Sequence, residues 1–259
     1  MRCVRLVYLM ALGVCACLTT AASSATIILH HNTSQYSSGT GGEFRATLVG
    51  LPGVVEQAAG VKVSNPSAPV GAVVFQTFCM ETNEFLTPGT TYYVQLNTAA
   101  INGGAGGSLP NGDPISGGPG DPLDPMTAYL FTRFSDGTLA GLGYNYTLGA
   151  ARSASAAALQ NAIWYIEQEI SGPLSGLALT FYNDAWNAVH GANPTWSGLG
   201  NVRVLNLYAD QAMTQRKQDQ LALIEPSFGN PVPLPSAAWA AATLLMALTL
   251  HNLHRRLRA

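Results

Sequence analysis

The apolar period changes part-way along the chain, and that change constrains the fold more than any other feature. Up to about residue 100, apolar residues come in short runs of β-branched and aromatic content, at 26–31, 44–49, 61–63, 73–80 and 91–96. Such runs read as strands. After Pro125 the spacing turns helical. Residues 126–134 predict a short helix with Asp124 as its cap and Pro125 at its first position. Residues 153–170 predict the strongest helix, alanine-rich, capped by Ser153 or Ser155, with Leu159, Ala162, Ile163 and Ile166 as its buried stripe. Residues 179–190 predict a third helix ended by Gly191. Residues 202–208 alternate as a strand, and 214–223 are mixed. Thr87-Pro88-Gly89-Thr90 is a turn, which sets 91–96 antiparallel to the 73–80 strand. The expected class is α+β, an antiparallel β-sandwich with helices packed in its second half.

Two stretches resist the period. Residues 32–42 are polar and rich in Gly and Ser, and read as a loop. Residues 101–125 are rich in Gly, Asn, Asp and Pro, a length that is unusual inside a compact domain. Asp113, Asp121 and Asp124 offer hard oxygen ligands for calcium, but without EF-hand spacing, so a solvated acidic loop is the simpler reading. No metal or cofactor is expected.

The two ends read as addresses. Arg2 and Arg5, the apolar stretch 6–18 and the small residues Ser23-Ser24-Ala25 make a secretory leader over residues 1–25. Acylation at Cys15 or Cys17 is a weaker alternative. At the other end a Pro-rich linker, 226–235, precedes an apolar segment and Arg255-Arg256-Leu257-Arg258, so that 236–259 forms a transmembrane tail with its basic end in the cytoplasm. Val232, Pro233 and Pro235 with Arg255 and Arg256 resemble a PEP-CTERM sorting signal, in its Val-Pro-Leu-Pro variety. The resemblance implies an exosortase-type processing enzyme and a Gram-negative envelope. An ordinary membrane anchor has the same topology without processing.

Charge narrows the partners. Only 10% of residues are charged, and five of the twelve basic residues sit at the ends. Seven remain in the body against all fourteen acids, so there is no basic patch for nucleic acid.

Between the ends lies a single domain, 26–225, with one thiol. Cys3, Cys15 and Cys17 belong to the leader, which leaves Cys79 alone in an exported protein. An odd cysteine there calls for an intermolecular bond, a reactive role or burial. On the long helix Gln160 and Trp164 lie one turn apart on one face. A glutamine beside an apolar stripe is costly unless its amide has partners. Thiolate attack on that carboxamide would expel ammonia and leave a Cys–Gln thioester, which an amine or hydroxyl of a partner can open. Replacing either residue by alanine is expected to abolish amine uptake and leave the domain folded.

Phe78-Cys79-Met80-Glu81 resembles the aromatic-Cys-apolar-acidic motif of bacterial surface thioester domains, and the run Leu159 to Trp164 is similar to their apolar-Gln-x-x-apolar-Trp motif. The resemblance implies an adhesive domain, with Cys79 and Gln160 as the cross-link and Phe78 and Trp164 packed around it. Such a protein is not an enzyme; it performs a single acyl transfer onto a surface or matrix macromolecule. Two other readings stand beside it. One is a non-covalent matrix- or polysaccharide-binding sandwich using Trp186 and Trp196. The other is a cysteine hydrolase with Cys79 as nucleophile and His190 as base.

Overall fold

The computed structural model describes residues 24–31, 37–38, 41–101 and 120–226. The leader, most of the Pro-rich linker and the tail, with Val232, Pro233, Pro235, Arg255 and Arg256, lie outside the described residues. So do Asp113 and most of the 101–125 loop. Among the described residues no helix is long and apolar enough to cross a membrane.

The strands are β1 (Thr26–His31), β2 (Ser37–Ser38), β3 (Gly41–Gly42), β4 (Phe44–Val49), β5 (Val73–Thr77), β6 (Thr91–Asn97), β7 (Ala99–Ala100) and β8 (Asp121–Pro122). After them come helices α1 (Pro125–Ser135), α2 (Ala150–Ile166) and α3 (Gly176–His190), then strands β9 (Val202–Tyr208) and β10 (Arg216–Leu223). Six strands form one antiparallel sheet in the order β10-β9-β6-β1-β4-β5, while β2 with β3 and β7 with β8 form two short ribbons.

The main sheet curls until its edges meet. Just beyond β5, Cys79 pairs with Gln220 of β10. Met80 N–H donates to Asp219 O at 3.0 Å and Leu221 N–H to Phe78 O at 3.2 Å. Apolar residues inside the curl, among them Ile27, Leu29, Phe75, Val94 and Leu207, make one core. A second core lies between the sheet and the helices, where Phe78, Val202, Val204 and Leu221 meet Phe131, Phe134, Ile163 and Phe181. Trp164 projects from α2 and joins the first. The mixed class is as expected, but helices stand where a second sheet was expected. Once α2 and its neighbours present apolar faces, the sheet needs no second sheet to cover it.

Several local expectations change. Residues 91–96 do form a strand, but β6 pairs with β1 and β9 rather than with the cysteine strand. Residues 61–63 form no strand. Asp124 caps α1 as expected, its side chain accepting from Met126 N–H. Helix α2 starts three residues early, behind Gly149, with no side-chain cap. The Ser155 hydroxyl is used elsewhere: it accepts from Asn145 N–H and donates to Ala151 O.

Candidate functional site

The site begins with α2. Its alanine-rich sequence favours helix, and the helical repeat places Leu159, Ala162 and Ile163 in the helix-side core while Gln160 and Trp164 point at β3 and the Cys79 segment. Gln160 is fully buried, and its amide is satisfied entirely by backbone. Oε1 accepts from Gly42 N–H at 3.0 Å and from Cys79 N–H at 3.0 Å. Nε2 donates to Cys79 O at 2.8 Å. The carboxamide thus lies along the peptide of Cys79, with two N–H groups converging on its oxygen.

Cys79 is a free thiol with no solvent exposure. Gln220 Nε2 donates to its Sγ at 3.4 Å. Burial pushes the thiol up to about 12, against the opposing influence of hydrogen bonds from Gln220 and from Gly42 N–H.

Trp164 closes a neighbouring side. A Cβ added at Gly41 would lie 2.3 Å from Trp164 Cζ2 and 3.3 Å from Gln160 Cδ. The indole therefore rests on bare backbone beside the glutamine. Phe78 faces the other way: its ring stands edge-on to Phe134 of α1 at 5.0 Å, in the helix-side core.

Sequence reasoning missed five participants. Gly41 and Gly42 were hidden in a stretch that reads as loop, although adjacent glycines are a signal of close backbone approach. Gly42 has φ of 139°, a conformation that a side chain would strain. Gln220 sits in a strand that reads as mixed. Arg152 and Glu43 form a buried ion pair one peptide bond from Gly42. The guanidinium also donates to Val61 O and Tyr146 O, and Tyr144 Oη donates to Glu43 Oε2. The pair fixes the chain that supplies the Gly42 donor.

Behind the cysteine two acids meet. Glu81 Oε2 accepts from Asp219 N–H at 2.8 Å, while Asp219 accepts from Ile101 N–H, Leu207 N–H and Asn206 Nδ2. Burial raises both carboxyls, Asp219 to about 7 and Glu81 well above its ordinary range, and their proximity reinforces the effect on Glu81.

The remaining candidates lie elsewhere. His190 ends α3 beside Trp186, their rings 4.7 Å apart, and lines a cavity with Asp124. It is not the side chain hydrogen-bonded to Cys79. Trp196 donates its indole N–H to Gly198 O and packs edge-on to Tyr129. No group of three or more His, Cys, Asp or Glu among the described residues is arranged to hold a metal ion. No protein-family model, curated protein or solved structure matches this chain.

Proposed function

We propose that this is an exported surface protein in which Cys79 and Gln160 close an internal thioester that captures an amine or hydroxyl on a macromolecular partner. One observation carries the reading: two backbone N–H groups, of Gly42 and Cys79, converge at 3.0 Å on the Gln160 carboxamide oxygen. Donors aimed at an acyl oxygen stabilise the charge that builds there during attack, and such preorganised donors are the largest single contribution in acyl transfer. The step balances. Sγ of Cys79 bonds to Cδ of Gln160, the Cδ–Nε2 bond breaks, the thiol proton goes to that nitrogen, and ammonia leaves. A partner's amine then attacks Cδ, the Sγ–Cδ bond breaks, and the proton lost by the amine goes to the leaving sulfur, which restores the thiol and leaves an amide.

The product keeps the carbonyl oxygen that Gly42 N–H and Cys79 N–H serve, and gives up the bond from Nε2 to Cys79 O. The leader and the PEP-CTERM-like tail support export, a Gram-negative envelope, membrane tethering and exosortase-type processing. A hydrolase reading has less support. Its general base would be His190, which lines a cavity with Asp124 at the end of α2, while the side chain on Sγ is Gln220, an amide that cannot take up the proton at neutral pH.

The test is intact mass of the purified protein, with methylamine added in a second sample. The expected result is a mass short by one ammonia, then recovery with one methylamine incorporated, and neither change in Cys79→Ala. A full mass with no uptake by the folded protein would overturn the proposal. Gln160→Ala is a poorer control than the sequence alone suggests. It strands Gly42 N–H, Cys79 N–H and Cys79 O, each at about 1–3 kcal/mol, so a loss of signal there would also follow from unfolding.

A further inference from the structure

A second feature stands apart from the cysteine, at the C-terminal end of α2. Tyr165, Gln168, Tyr182, Trp186, His190 and Asp124 line an open cavity of about 500 Å³. It adjoins a smaller one of about 120 Å³ lined by Asp121, Asp124 and Glu167, and the two share Asp124, Ile166 and Gln168. None of the described residues lining either cavity is Lys or Arg.

We infer that the joined cavities bind an organic ammonium group, with the aromatic rings as walls and the carboxylates as counter-charge. Tyr165 and Tyr182 stand at right angles, centroids 5.2 Å apart, and Trp186 continues the Tyr182 wall at 29° and 6.2 Å. Rings set at a corner present π faces from two directions, which suits a compact cation. A pyranose ring stacks better on one flat platform. Trp186 is 47% exposed, which leaves its ring open to a ligand.

Among the described residues no cationic side chain lines the smaller cavity, and His190, in the larger one, acts only on Asp124. Asp121 is only 6% exposed, and its Oδ2 has no hydrogen-bond partner among the described residues. Burial first and then neighbouring acids raise its carboxyl to about 7, and Glu167 is raised well above its ordinary range for the same reasons. A bound ammonium would supply the missing charge and satisfy a buried oxygen. Gln168, on the shared rim, holds φ of 63° as the left-handed residue that ends α2, with Glu169 N–H donating to Trp164 O at 2.8 Å. The site does not depend on the thioester, although both readings imply a partner that displays amines.

The test is tryptophan fluorescence of the purified protein, titrated at constant ionic strength with tetramethylammonium chloride or N-acetyl-lysinamide. Neopentyl alcohol and cellobiose serve as neutral controls. A saturable response to at least one cation and to neither control is expected. Response to the lysine amide alone assigns a protein side chain; response to tetramethylammonium assigns a quaternary head group. Trp186→Ala should abolish the response, and Asp124→Asn, which keeps the α1 cap, should weaken it ~10-fold. No saturable response to either cation, an equal response to neopentyl alcohol, or binding of cellobiose alone would overturn the inference.

Discussion

A methyl group at position 41 has nowhere to go. It would meet the six-membered ring of Trp164 at 2.3 and 2.7 Å, and that indole is itself held in the core inside the curled sheet. Gly41→Ala is therefore expected to push Trp164 and Gln160 away from β3, lowering stability by about 1–3 kcal/mol and abolishing methylamine uptake. Thermal unfolding and intact mass measured together check both effects. Uptake at the parental rate would show that the carboxamide has room to spare. The cysteine and the glutamine were legible in the sequence because each is chemically out of place. One is the lone thiol of residues 26–225, and the other is an amide one turn from a tryptophan beside an apolar stripe. Gly42 was not legible. Its contribution is a backbone N–H, which every residue except proline possesses, and only the fold shows where it points.

Among the elements, α2 does most to assemble the site, and its first turn matters as much as its middle. Arg152 reaches across to Glu43 with both groups almost fully buried, and Glu43 directly follows the Gly42 donor. Removing one partner leaves the other charge buried and unpaired, a loss of about 3–5 kcal/mol. Glu43→Gln is expected to fall in or just below that range, because the amide oxygen still accepts from the guanidinium. It should slow thioester closure in whatever fraction folds, as read from the mass of freshly refolded protein against time. Parental closure would leave the ion pair a purely structural role. This pair escaped sequence reasoning because its members are 109 positions apart. Ser153 and Ser155 also looked like caps, which hid the helix start. Strand β10 was equally hard to read. Gln218, Asp219 and Gln220 are fully buried, although polar residues in succession normally mark an exposed edge. Hydrogen bonds to Glu81, Asn206, Leu207 and the cysteine sulfur engage all three, and Gln218 Oε1 alone of their side-chain oxygens has no partner among the described residues.

For the molecule as a whole, the raised carboxyls set the pH dependence. Asp219 has an ordinary value of 3.8 and stands at about 7 in the fold. The folded protein therefore holds a proton that the unfolded chain gives up between those values. Stability is fully present below about 4 and falls as pH rises toward about 7, by up to about 1.4 kcal/mol per pH unit for each such group. Above that it levels off. Chemical denaturation from pH 4 to pH 8 is expected to show this decline, and Asp219→Asn should flatten part of it. A profile that instead rises across this range would contradict the assigned protonation. The alternation of individual strands was readable, but the order in which they pair was not. That order depends on which edges the twist of the sheet brings together, and no local pattern encodes the meeting of Cys79 with Gln220.

The spacing of the contributors also governs timing. Cys79 lies 81 positions before the glutamine whose carboxamide it faces and 141 before the one that touches its sulfur, while the glycine donor is 118 from the carboxamide it serves. A nascent chain emerging from its N-terminus holds the thiol long before it holds the rest. The pocket is complete only after the last strand of the sheet has arrived, so the proposed acyl transfer waits for the finished fold, and a prematurely terminated chain is expected to stay inert.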